Sequence, residues 1–196
     1  NDQATVCSTF GGNMFSDYDP AWEENPYYTY DVEKAKTLLA ESGFDTATPL
    51  RIVLNGNAIR KSIAQIMQGY LAQIGITVEI NTYKSDETAY DILLDNCGGS
   101  DYLMTIWRGK FDANAYSTGG TINGVYDDEL QSLMEACEKD NSKANMDAFQ
   151  DCLYSHAYAV GLFNAQMYTV CRDSVKSISM DGKQFPCVAS CTYSWN

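Results

Sequence analysis

Histidine is almost missing from this chain: His156 is the only one. Any serine–histidine or cysteine–histidine pair would have to use it, and its surroundings read as the inside of an amphipathic helix, not a catalytic loop. The nucleophile elbow Gly-x-Ser-x-Gly is absent. Phosphate loops are absent too: GGNM, GNAIRKS and GGTING fit neither GxxxxGK[ST] nor GxGxxG. Asp127 and Asp128 are adjacent and read as a helix start, not as an acid–base pair. No enzyme is expected. Basic residues are scarce, 13 against 26 acidic ones, for a net charge of −13. Such a balance argues against nucleic acid and anionic membrane surfaces as partners. No run approaches the ~18 apolar residues of a membrane helix, and the longest near-candidate, 157–163, is far shorter. No basic start followed by an apolar stretch marks a signal peptide.

CxxC is also missing, which argues against a zinc ribbon and a thioredoxin-like site. Seven cysteines are nevertheless present, an odd count that leaves at least one unpaired within the chain. Cys137 and Cys152 fall on apolar helix faces, where a thiol behaves as a small hydrophobe. Cys187 and Cys191 are spaced to meet across a tight turn. Cys152 stands four residues before His156 on one predicted helix, a spacing that can bring two donors to one ion. With no further His or Cys at ligand spacing, His156 reads as a helix-surface residue, and neither metal nor cofactor is expected.

What is present is an ordered alternation. The 196 residues suffice for one well-buried domain, and a hydrophobic fraction of 45% is ordinary for a globular chain. Tyr30–Tyr83 reads helix, strand, helix, strand. Asp31 is a good N-cap and Gly43 a good stop for the first helix, whose apolar face is Val32, Ala35, Leu38 and Leu39. In the second, Ile59, Ile63, Ile66, Met67, Tyr70, Leu71 and Ile74 recur at spacings of three and four. Gly75 sits where a left-handed C-terminal residue is wanted. The runs 51–54 and 76–80 suit buried strands, so the unit is a crossover of a parallel or mixed α/β sheet. Tyr90–Asn96 reads as a third strand and CGGSDYLMTIWRGKFDANAY as the loop after it. Such loops present ligand contacts in α/β sheets. Asp127–Lys139 and Ser142–Val160 read as helices; Gly161–Val170 and Val175–Ser179 read as strands. Residues 1–29 form an irregular but ordered opening segment whose aromatics either line a cleft or lie near a hinge, or cover a sheet edge.

The order and spacing of YDVEKAKTLLAESGF, the strand and helix after it, and LAQIGITVEI resemble the family 5 extracellular solute-binding proteins. These are the oligopeptide- and dipeptide-binding subunits of ABC importers. The resemblance implies an α/β fold, one lobe of a two-lobed type II periplasmic-binding-protein-like molecule, with a mixed sheet flanked by helices. The whole of 1–196 would be the C-terminal lobe of a longer protein. Its partners would be a small or peptide-like ligand, a membrane permease and a missing N-terminal lobe. Its place would be extracellular, as a lipoprotein or in the periplasm. The family's strand start, tryptophan and Asp-Tyr pattern maps onto Tyr90-Asp91-Ile92 and Asp101-Tyr102. It implies that Asp101 anchors a ligand ammonium through a charge-assisted hydrogen bond. The family tryptophan position is Gly98, a departure that puts a peptide ligand in question; Tyr102, Trp107 or Tyr116 could supply the aromatic wall. Gly98 and Gly99 would shape the loop, and Arg108, with Lys110, could meet a ligand carboxylate. Asn123 and Tyr126 are candidate rim contacts. The alternative is a secreted or surface interaction domain that contacts a protein through its aromatic opening segment.

Overall fold

The computed structural model describes residues 4–24, 26–54, 56, 58–82, 90–96, 102–112, 125–166, 170–180 and 186–193, the last two stretches beyond residue 176 as backbone only. In chain order the elements are β1 (Ala4–Val6), a 3-10 turn (Pro20–Glu23), α1 (Val32–Ser42), β2 (Leu50–Leu54), α2 (Ala58–Ala72), β3 (Val78–Thr82) and β4 (Ile92–Leu94). There follow α3 (Leu103–Phe111), α4 (Asp128–Lys139), α5 (Lys143–Ser155), β5 (Phe163–Ala165), β6 (Val175–Met180) and β7 (Pro186–Tyr193). They group into two compact units. Unit 2 is built on Thr29–Asn96, and unit 1 on the chain before and after it.

Unit 2 holds a parallel sheet in the order β3-β2-β4. Leu50 pairs with Val78, and Ile52 with both Ile80 and Ile92. β2 is the central strand, which is why its last three residues are all buried instead of alternating. α1 begins where Asp31 accepts a hydrogen bond from Lys34 N–H at 2.9 Å. α1 and α2 end at Gly43 (φ 69°) and Gly75 (φ 86°), both left-handed. At α2 the closure is a full Schellman motif: Ile76 N–H reaches Leu71 O and Gly75 N–H reaches Ala72 O. Ile63, Ala64, Met67 and Leu71 of α2 pack with Ile52, Leu54, Val78 and Leu94. The apolar face is narrower than its spacing suggests. Ile59, Ile66 and Tyr70 are more than half exposed, because a helix lying on one sheet covers only about 100° of its circumference. Leu38 of α1 is exposed likewise.

Unit 1 is mainly helical. Leu103, Trp107 and Phe111 of α3, Leu130, Met134 and Cys137 of α4, and Met146, Phe149, Cys152 and Leu153 of α5 form its core. α3 lies where a loop is expected. Its apolar residues recur every four positions, and this stripe outweighs the turn signal of the flanking glycines. Asp127 caps α4 through Leu130 N–H at 2.8 Å. α5 ends at Ser155, short of the expected Val160. Ala157 turns left-handed (φ 55°), and Tyr158 N–H closes onto Leu153 O at 2.9 Å in a second Schellman motif. His156 is therefore the C-cap of α5, not a mid-helix residue. β1 pairs antiparallel with β5, and β6 with β7. Cys187 and Cys191 both lie on β7. The pairing of β7 with β6 shifts register between them, from Cys187 opposite Ser179 to Thr192 opposite Ser177, and the side chains of both cysteines lie outside the described residues.

Candidate functional site

Gly98, Gly99 and Asp101 lie outside the described residues, as do Tyr116 and Asn123. What the structure describes is the chain on either side. Asp91, from the Tyr-Asp-Ile strand start, clamps β4 to β2: its carboxylate accepts from Arg51 N–H at 2.7 Å, and its own N–H donates to Arg51 O at 3.0 Å. Past β4, Arg60 of α2 pairs with Asp95 at 3.7 Å and donates to the Asn96 side chain. Polar contacts thus hold β4 and the two residues after it.

The segment resumes at Tyr102, the N-cap of α3, whose ring is half exposed. The two amides that follow it are satisfied from a distance. Leu103 N–H and Met104 N–H donate to Asp17 at 2.6 and 3.1 Å. A carboxylate there also complements the positive end of the helix. Trp107 is fully buried: it stacks on Phe149 at 4.7 Å, and its indole N–H donates to Phe10 O at 2.8 Å. Trp107 is a core residue, and its ring presents no surface to a ligand. Arg108 points outward and is paired with Glu138 at 3.0 Å and Asp112 at 3.8 Å, so a ligand carboxylate would compete with two resident ones. Tyr126 is exposed.

The aromatic opening segment packs on a helical core, and its Tyr18, Trp22 and Tyr27 also border shallow concavities. Phe10, Phe15, Tyr18 and Trp22 pack on the α3–α5 core, and the Trp22 N–H donates to Asp147 at 2.6 Å. Beneath them Glu23 gathers a polar cluster. Its carboxylate accepts from Ser8 N–H at 2.6 Å, Thr9 Oγ1 at 2.9 Å and Tyr18 O–H at 3.1 Å. Burial alone would push the Glu23 carboxyl up, but these hydrogen bonds outweigh it and hold the group below its ordinary value. Neither Asp17 nor Glu23 stands out in the sequence, because their partners lie on elements far away in the chain or within an aperiodic stretch.

Among the described residues, unit 1 carries shallow concavities. One of about 240 Å³ is bordered by Asp17, Asp19, Trp22 and Lys143. Another, of about 490 Å³, is bordered by Tyr27, Glu129, Asp151 and Cys152. Glu129 and Cys152 of its lining, with the neighbouring His156, bring their donor atoms within 4.8 Å of one another. Spacing alone shows the Cys152–His156 pair; Glu129 arrives from the neighbouring helix. Among the described residues no helix is long and apolar enough to cross a membrane.

A family model for bacterial extracellular solute-binding proteins, family 5 Middle, matches residues 1–134. The chain belongs to this family. Among the family 5 relatives it resembles, it is 33% identical over 102 residues to di/tripeptide-binding protein 2 of Pseudomonas aeruginosa, covering 49% of this chain and 18% of that protein. It is 31% identical over 121 residues to the nickel-binding protein NikA of Staphylococcus aureus, covering 56% of this chain and 23% of that protein. The structure matches the oligopeptide-binding protein AppA of Bacillus subtilis, solved with a nonapeptide, at a TM-score of 0.74 and 15% identity, over 98% of this chain and 43% of that one. The fold is thus the type II periplasmic-binding-protein-like α/β fold that the resemblance implies. The family 5 chain described here spans about a fifth of the length of its curated relatives.

Proposed function

We propose that the chain is part of the extracytoplasmic solute-binding component of an ABC importer. A small ligand, peptide-like in its chemistry, is captured between two lobes, and the closed form is delivered to the membrane permease. The 196 residues would supply one lobe, with the other provided by the rest of a longer protein. The observation that carries this reading is the family match over residues 1–134, the stretch that contains β4, the Gly98–Asp101 connection and α3. Binding of peptides by relatives of the same fold supports a ligand with an ammonium group.

Asp101 is the proposed ammonium anchor, with Tyr102 beside it and Gly98 and Gly99 shaping the approach. Trp107 serves this site only by fixing α3 in the core, and Arg108 would take part only by leaving Glu138. The protein does no covalent chemistry in this reading. It acts on the outer side of the membrane, held there by a lipid anchor or free in a periplasm. The test uses the full-length protein, purified with the solute it carries and examined by native mass spectrometry. Replacing Asp101 with Ala is expected to weaken binding of that solute by roughly tenfold to a hundredfold, the worth of one charge-assisted hydrogen bond. Unchanged affinity in Asp101→Ala would refute the assignment of the anchor. A full-length protein that binds no peptide or other small solute would refute the transport reading itself.

A further inference from the structure

We propose that Glu129, Cys152 and His156 form a binding site for a borderline-soft divalent transition metal of the zinc class, separate from the residues assigned to solute capture. Three donor types converge there from two helices: a carboxylate from the first turn of α4, and a thiol and an imidazole from the last turn and C-cap of α5. All three donor atoms lie within 4.8 Å of one another. Tetrahedral zinc with these ligands holds its donors about 3.3–3.6 Å apart, so rotamer adjustments of about 1 Å close the set. His156 Nε2 already stands 3.9 Å from Glu129 Oε2.

The surroundings suit a cation. His156 is stacked on Tyr158 at 5.2 Å with the rings nearly parallel, which fixes the imidazole. Asp127, held by Leu130 N–H, adds a second negative charge that acts on both His156 and Cys152. The α5 C-terminus contributes the negative end of its dipole. Cys152 is buried while Glu129 and His156 are exposed, and Glu129 and Cys152 also line the concavity of about 490 Å³, so an ion would sit at its edge with a remaining position open to water. Sulfur with nitrogen favours zinc-class ions over magnesium or calcium, which prefer oxygen alone.

The test is a calorimetric titration of the reduced chain with zinc chloride, with cobalt(II) chloride in parallel for absorption. One Zn²⁺ is expected at this site, and Co²⁺ is expected to give a thiolate-to-metal charge-transfer band. His156→Ala and Glu129→Gln change exposed residues and leave the core intact. Each is expected to weaken Zn²⁺ binding at least about tenfold, since losing a ligand costs no less than losing the groups that orient one. Cys152→Ser is expected to abolish the charge-transfer band, whereas Cys171→Ser, at an exposed thiol, leaves it in place. Wild-type affinity in both His156→Ala and Glu129→Gln would overturn the proposal, as would absence of Zn²⁺ binding to the unaltered chain.

Discussion

Glu23 is the residue whose replacement most directly tests how the opening segment is held. Its carboxylate accepts from Ser8 N–H, Thr9 Oγ1 and Tyr18 O–H. Thr9 keeps a second acceptor, Gly11 O at 3.1 Å, so removal of Glu23 strands two donors, not three. A hydrogen bond to a charged group contributes about 1.5–3 kcal/mol, less where water can enter. Glu23→Ala is therefore expected to cost about 2–4 kcal/mol. Glu23→Gln should cost about 1–2 kcal/mol, because one carbonyl oxygen remains and the new NH₂ faces a donor. No tryptophan lies within Thr29–Asn96, so indole fluorescence during urea unfolding reports unit 1 selectively. Acid provides the second arm. The folded carboxyl lies below its unfolded value of 4.5, so its contribution is complete above that value and disappears as pH falls through the folded one. The gap between wild type and Glu23→Gln should narrow on going from about pH 7 to about pH 3. Equal stability at neutral pH, or a gap that persists unchanged into acid, would refute the reasoning.

Two further outcomes can be checked by the same unfolding measurement. Both amide atoms of Gln150 are buried without a hydrogen-bond partner among the described residues, so Gln150→Met should raise stability by about 1–3 kcal/mol; a loss would show that the amide is satisfied. Burial pushes the Cys137 thiol up to about 11, from 9.0 unfolded. Between those values the unfolded chain ionises while the folded one keeps its proton, so the thiol lowers stability by up to about 2–3 kcal/mol as pH rises. Cys137→Ala should flatten that alkaline decline, and an identical slope would contradict the assignment.

The course of unit 2 was legible because its signals are local. Asp31, Gly43 and Gly75 mark helix ends through their own backbone chemistry, and Ile and Val runs need no distant information to read as strands. α3 was hidden because the glycines before it read as a loop, although Leu103, Trp107 and Phe111 already stood four apart. Trp107 illustrates the cost: an aromatic expected on a ligand wall is the centre of a helical core. The end of α5 escaped because Ala157 takes a left-handed turn usually reserved for glycine. Side chains that meet across long stretches of chain, such as Asp17 with Leu103 or Glu129 with Cys152, leave no pattern in a single sequence.

The β1–β5 ladder ties residues 4–6 to 163–165. Its consequence is temporal. On a ribosome, the segment Thr29–Asn96 carries its sheet partners within itself and can close as soon as it emerges, since local contacts form with little loop entropy to overcome. Unit 1 must wait with its first strand unmatched until residues 163–165 have been made. Until α3 to α5 have followed, the aromatics of the opening segment have no helices to rest on, so this is the stage of synthesis at which protection from misassociation would matter most.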